Sequence, residues 1–145
     1  MMNQLAKKVF DNAHSKGFWD EYNEIMERLR KGMTLNHAQI ESIKFAFSCQ
    51  RLMLIVSELG EMVEAKRIGK KANWEVYEKL LKEKGVDFDA ELFKQLIKDS
   101  PEDEFADSII RHMDMAGGEG IDIQKHISHK MRYNALRERL HGKSF

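Results

Sequence analysis

The stretch Leu52–Ala65, LMLIVSELGEMVEA, sets apolar residues where one helix would want them and threads three glutamates, Glu58, Glu61 and Glu64, among them at intervals of three. Residues three apart in a helix lie on nearly the same face, so Glu58 and Glu61 project their carboxylates side by side and Glu64 continues the drift. A single E-x-x-E pair reads as an ordinary solvated stripe, because glutamate is a good surface helix former. What the rest of the chain brings to this ladder decides whether it is surface or site.

Outward from it, helix is the expectation along the whole chain. Strict apolar/polar alternation over a strand length is hard to find, and one proline, Pro101, interrupts 145 residues. Residues 3–15 and 18–31 read as two short amphipathic helices separated at Gly17, with Gly32 as a C-terminal stop. The longest helix is expected from about His37 to Ile68, with Asn36 as N-cap and Gly69 at its end. Residues 70–100 are more polar, yet Trp74, Tyr77, Leu80, Leu81, Phe93 and Ile97 need burial, which predicts two short helices broken at Gly85, as an insertion or lid. Ser100 as N-cap, Pro101 at the first helical position and acids in the first turn open the next helix, which Gly117, Gly118 and Gly120 end. A last helix is expected from about Asp122 to Leu140. The fold class is all-α, a helical bundle with a four-helix-type core, and the length fits a single domain over residues 1–145 with the inserted segment at about 70–100.

Lys plus Arg equals Asp plus Glu at 24 each, so the chain has no global charge with which to seek a nucleic-acid polymer or an anionic membrane. The single cysteine, Cys49, forms no intramolecular disulfide and suits a reducing compartment, with a small buried hydrophobe as its plainest role. No long apolar leader opens the chain and no run reaches a membrane span, so a soluble, cytoplasmic protein is expected.

A second acid pair changes the weight of the first. In EDEFADSIIRHMD, Glu104 and Asp107 repeat the spacing on a helix whose Phe105, Ile109, Ile110 and Met113 supply an apolar face. If the two helices pack, four carboxylates converge. Like charges ~4 Å apart repel by about 1 kcal/mol in water and ~4 kcal/mol at an effective dielectric of 20, which a divalent cation relieves. All-oxygen, anionic ligation is the chemistry of Mg²⁺ or Mn²⁺ rather than zinc. Gly60, costing about 1 kcal/mol in a helix interior, adds an expectation of close approach by another helix or a ligand, with a tolerated accident as the alternative.

From Lys125 to Phe145 the only acid is Glu138, against Lys125, Lys130, Arg132, Arg137, Arg139 and Lys143. Lys130, Asn134, Arg137 and His141 fall on one helical stripe. Lys and Arg hold phosphate oxygens and Asn hydrogen-bonds sugar, base or phosphate. The competing reading is a solvated basic helix end favoured by the macrodipole.

In order and context, SELGE, then EFAD, then KMRYNALRERLHGKSF resemble the MazG-like, all-α nucleoside triphosphate pyrophosphohydrolases, relatives of the dimeric dUTPases, over roughly Ile55 to Phe145. HSKGFWDEYNE near the start also resembles a segment that precedes the metal helix in that family. The resemblance implies metal ligation by Glu58, Glu61, Glu104 and Asp107, substrate contacts from Lys130, Asn134 and Arg137, and a role for Glu61 in orienting or deprotonating water. It further implies Mg²⁺, with Mn²⁺ as a substitute, a nucleoside triphosphate cleaved between its α and β phosphates, and a homodimer or homotetramer. Two departures stand out: Ser57 replaces the first glutamate of the family's doubled pair, and the segment from Glu64 to Glu104 is longer than the family's loop. Trp19 and Trp74 are candidates for stacking a base, against their more ordinary role as core. A di-iron bundle would want paired E-x-x-H motifs, and only Glu138–His141 matches. A non-catalytic nucleotide-binding or partner-binding module of the same fold is the serious alternative, because of Ser57.

Overall fold

A computed structural model describes residues 1–32 and 35–137, and all of its regular structure is helical, with no strand among the described residues. The helices are α1 (Met2–Ser15), α2 (Asp20–Arg30), α3 (His37–Arg67), α4 (Trp74–Lys84), α5 (Ala90–Leu96), α6 (Pro101–Gly118) and α7 (Ile123–Ala135). The all-α expectation and the helix order both stand. The last helix ends at Ala135 rather than near Leu140, and residues 138–145, which include His141, Arg139, Lys143 and the Glu138–His141 motif, lie outside the described residues.

Local chemistry accounts for the boundaries. Asn36 closes a capping box at the head of α3, accepting from the Gln39 N–H at 3.0 Å while the Gln39 side chain accepts from the Asn36 N–H at 2.9 Å. Gly85 ends α4 in the left-handed region at φ 66°. Asp89 caps α5 through the N–H groups of Glu91 and Leu92. Ser100 accepts from the Asp103 N–H at 3.2 Å ahead of Pro101, as the sequence predicts.

Packing divides the chain into two compact units, residues 1–24 with 113–145 and residues 25–112. In the first, Ala6 of α1 meets Met113 and Ala116 of α6, with Met2, Val9 and Ile123 around them. The glycine pair has a purpose other than stopping the helix. Gly117 and Gly118 are still helical, and a Cβ on Gly117 would lie 2.6 Å from the Phe10 Cβ and 2.8 Å from the Ala6 carbonyl oxygen, while one on Gly118 would overlap the Trp19 ring. They permit close approach, and Gly120, at φ 67°, makes the turn. The start of α1 is tied to that of α7: Asn3 donates to Asp122 at 2.7 Å, and Gln124 donates its N–H back to Asn3 at 3.0 Å.

In the second unit, α4 and α5 form a helical pair around Tyr77, Leu81 and Ile97, flanked by Ala72, Leu92, Phe93 and Leu96. The inserted segment is thus ordered helix with its own small core, as its apolar residues require. Trp74 departs from the expectation of burial, standing half-exposed with its ring edge on Tyr77. α3 is 31 residues long, about 46 Å at 1.5 Å per residue. Of these only Ile55, Glu58 and Ala65 are buried, so this helix presents one face to its unit and leaves much apolar surface elsewhere.

Candidate functional site

Two helices of the second unit carry the acids. On α3, Ile55, Glu58, Met62 and Ala65 share the inward face, which turns Glu58 into the unit, 9 % exposed. On α6, the Ser100–Pro101 start sets the register that buries Glu104 and Ser108 one turn apart, Glu104 at 4 % exposure. Oxygen atoms of Glu58, Glu61 and Glu104 all lie within 4.8 Å of one another. Three of the four expected carboxylates, from two segments distant in sequence, therefore lie together.

Asp107 lies one turn along from Glu104, half-buried, and is not part of that three-way group. It is close enough for the Glu58 charge to act on it. A second group, Asp99, Asp103 and Glu104, shares Glu104 with the first. Asp99 is held at φ 57°, in the left-handed region, donating its N–H to Asp103 at 2.9 Å, and its carboxylate pairs with Lys70 and Lys98. Glu64, the third rung of the ladder, is drawn off by Arg67, whose Nε and Nη2 donate to it at 2.7 and 2.6 Å.

The electrostatics carry the mark of crowding. Burial, then the charges of Glu61, Asp107, Asp103 and Glu58, push the Glu104 carboxyl above its usual 4.5. Burial, then Asp103 and Glu58, push Asp107 above 3.8, opposed by Arg111 and Lys98. Arg111 sets a cation against the group, donating from Nε to Glu58 Oε1 at 3.1 Å. It stands four residues after Asp107, the helical spacing of an ion-pair partner, a signal the sequence carried but that acid-pair reasoning passed over. Ser57 gains a function too. Where the resembling family has a carboxylate, its hydroxyl donates to Glu61 Oε1 at 3.2 Å and so steadies the exposed member of the trio. The donor set is hard oxygen throughout, which fits Mg²⁺ or Mn²⁺, with Arg111 as a competitor for Glu58.

The remaining predicted residues, Trp74 aside, belong to the first unit. Lys130, Asn134 and Arg137 are exposed at the C-terminal part of α7 and just beyond it, in the first unit. Lys130 Nζ stands 5.0 Å and the Arg137 guanidinium carbon 5.9 Å from the centre of the exposed Tyr133 ring, within reach of a cation–π contact. Trp19 does not offer a stacking face. It is 3 % exposed, its indole N–H donates to Asp114 at 2.9 Å, and its ring packs edge-on against Phe10 and Tyr22 and over Gly118. The correction has a plain cause: a large ring with its one polar atom satisfied is worth more to a small core than to the surface. Gly60 likewise brings nothing near it within the chain, since a Cβ there would meet no atom within 4 Å.

No protein-family model, curated protein or solved structure matches the chain.

Proposed function

We propose that the protein is a Mg²⁺-dependent nucleoside triphosphate pyrophosphohydrolase that cleaves the α–β phosphoanhydride to give a nucleoside monophosphate and pyrophosphate. The observation that carries this reading is the gathering of Glu58, Glu61 and Glu104 oxygens within 4.8 Å, two of the three side chains nearly covered. Such a group is uncomfortable alone and comfortable around a cation.

In this reading Glu58, Glu61 and Glu104 hold the ion, and Asp107 tunes it or joins it from the next turn. When bound, the ion neutralises the phosphate chain and polarises its oxygens. Glu61, exposed and steadied by Ser57, is the group that orients the attacking water and accepts its proton. Arg111 pairs with Glu58 and aims its carboxylate. On the first unit taken by itself, Lys130 and Arg137 carry the chemistry for phosphate oxygens and Asn134 that for sugar or base, and their assignment to the substrate rests on the resemblance alone. The protein works by positioning and charge neutralisation rather than covalent chemistry. A homodimer or homotetramer in the cytoplasm belongs to the same reading.

The test is pyrophosphate release from a panel of nucleoside triphosphates with and without Mg²⁺. Glu61→Gln and Asp107→Asn are expected to lower turnover by about 100-fold or more. Folded variants with undiminished turnover overturn the site. A second reading, a non-catalytic nucleotide-binding or partner-binding module, draws on Ser57 in the motif and on Arg111 already answering Glu58. An inactive wild type whose melting temperature still rises with Mg²⁺ favours it.

A further inference from the structure

Glu104 belongs to two acid groups, and the second is built differently from the first. It lies within 4.8 Å, oxygen to oxygen, of Asp99 and Asp103 as well as of Glu58 and Glu61. On the Asp99 side, cations are already in place. Lys70 Nζ stands 3.3 Å from Asp99 Oδ2, and Lys98 pairs with Asp99 Oδ1. Asp99 thus gathers one ammonium from each end of the inserted segment, Lys70 from the loop after α3 and Lys98 from the corner between α5 and α6. The same two ends are joined a second time where the Asn73 N–H donates to the Leu96 carbonyl at 2.8 Å. All of these residues belong to the second unit, as do Glu58, Glu61 and Glu104.

The corner is more firmly made than a chance pairing of surface charges. Ile97 and Ser100, on either side of Lys98 and Asp99, are each 1 % exposed, which pins the backbone and leaves the two charged side chains between them at the surface. Asp99 enters the left-handed region at φ 57°, which a residue with a Cβ does at a cost, and its N–H is taken by Asp103 at 2.9 Å. The ammoniums are also within electrostatic reach of the acids. Asp99 first, then the charges of Asp103 and Glu104, hold the Lys98 ammonium above its ordinary value, and Lys98 in turn opposes the rise of Asp107.

We infer that Lys70 and Lys98, held together by Asp99 at the edge of the acid group, bind the phosphate chain of the substrate, on the pyrophosphate part that leaves. The inference rests on the hydrolase reading and deepens it by giving the inserted segment a task. A phosphate chain that approaches an ion held by three carboxylates meets their negative charge together with the ion's positive one. Oxygens that do not reach the ion need cations of their own. Arg111 is engaged with Glu58, whereas Lys70 and Lys98 stand one carboxylate away from Glu104. An ammonium has three donors, so each lysine can keep Asp99 and still hold a phosphate oxygen.

The probe is inorganic pyrophosphate, titrated calorimetrically into the full chain in saturating Mg²⁺. The wild type is expected to bind it. The double variant Lys70→Gln, Lys98→Gln is expected to bind it about 10-fold more weakly or worse, with an unchanged melting temperature, because exposed ion pairs contribute little to stability. Lys79→Gln on α4, another exposed and paired lysine, is expected to change nothing. Should the double variant lose helicity, the single variants decide. A wild type that does not bind pyrophosphate overturns the inference, and so does an undiminished affinity in the lysine variants. Hydrolysis is read apart from this. A chain that binds pyrophosphate through these lysines but releases none from nucleoside triphosphates keeps the lysine site and overturns the hydrolase reading. An active hydrolase whose double variant retains both KM and pyrophosphate affinity does the reverse.

Discussion

Replacing Glu104 by glutamine removes one charge from the centre of the acid group while keeping its shape. Each like-charge pair at 4.8 Å costs ~3.5 kcal/mol at an effective dielectric of about 20 and ~0.9 kcal/mol in water. Glu61 is exposed, so its repulsion lies toward the lower figure, and Arg111 offsets much of that from Glu58. The net relief expected in chelator is therefore about 1–2 kcal/mol at neutral pH, or a melting temperature higher by roughly 3–8 °C for a chain of this size. The sign of the pH dependence follows from the raised carboxyl. Because the folded state holds the Glu104 proton more tightly than the unfolded chain does, the wild type loses stability as pH rises from the ordinary value of 4.5 through the raised one. The advantage of Glu104→Gln is thus absent in acid, where the wild-type carboxyl is protonated, and fully present above that window. If the group holds Mg²⁺ as proposed, the ion at about 100 times its dissociation constant is expected to stabilise the wild type by about 2.7 kcal/mol and to reverse the order. Thermal melts of both proteins in chelator and in Mg²⁺, from about pH 4 to about pH 8, read all of this. A Glu104→Gln protein less stable than wild type in chelator at neutral pH, or equally stabilised by Mg²⁺, refutes the reasoning.

Three other outcomes follow from the packing. Trp19→Phe loses the hydrogen bond to Asp114 and should cost about 1–2 kcal/mol in denaturant unfolding without changing KM for a nucleotide, since the ring is core. Gly118→Ala forces a methyl group into the Trp19 ring and should destabilise by about 1–3 kcal/mol, read by the same unfolding curves. Tyr77 buries a hydroxyl that has no hydrogen-bond partner among the described residues, so Tyr77→Phe is expected to leave stability unchanged or raise it by up to about 1 kcal/mol, and a measurable loss of stability in a thermal melt would show a hidden partner.

The sequence by itself determined the order of the helices and several of their ends, because caps, glycines and the lone proline act within a few residues of themselves. Asn36, Gly85 and the Ser100–Pro101 pair needed no tertiary context to do their work. It also determined the candidate acids, since a spacing of three fixes a shared face on any helix. Tertiary structure decided which rungs meet Glu104, and these are Glu58 and Glu61; Glu64 pairs within its own helix with Arg67, three residues on, a local contact that the spacing already carried. It likewise turned Trp19 from a stacking candidate into core and the Gly117–Gly118 pair from a helix stop into a contact, because both depend on how closely another segment approaches.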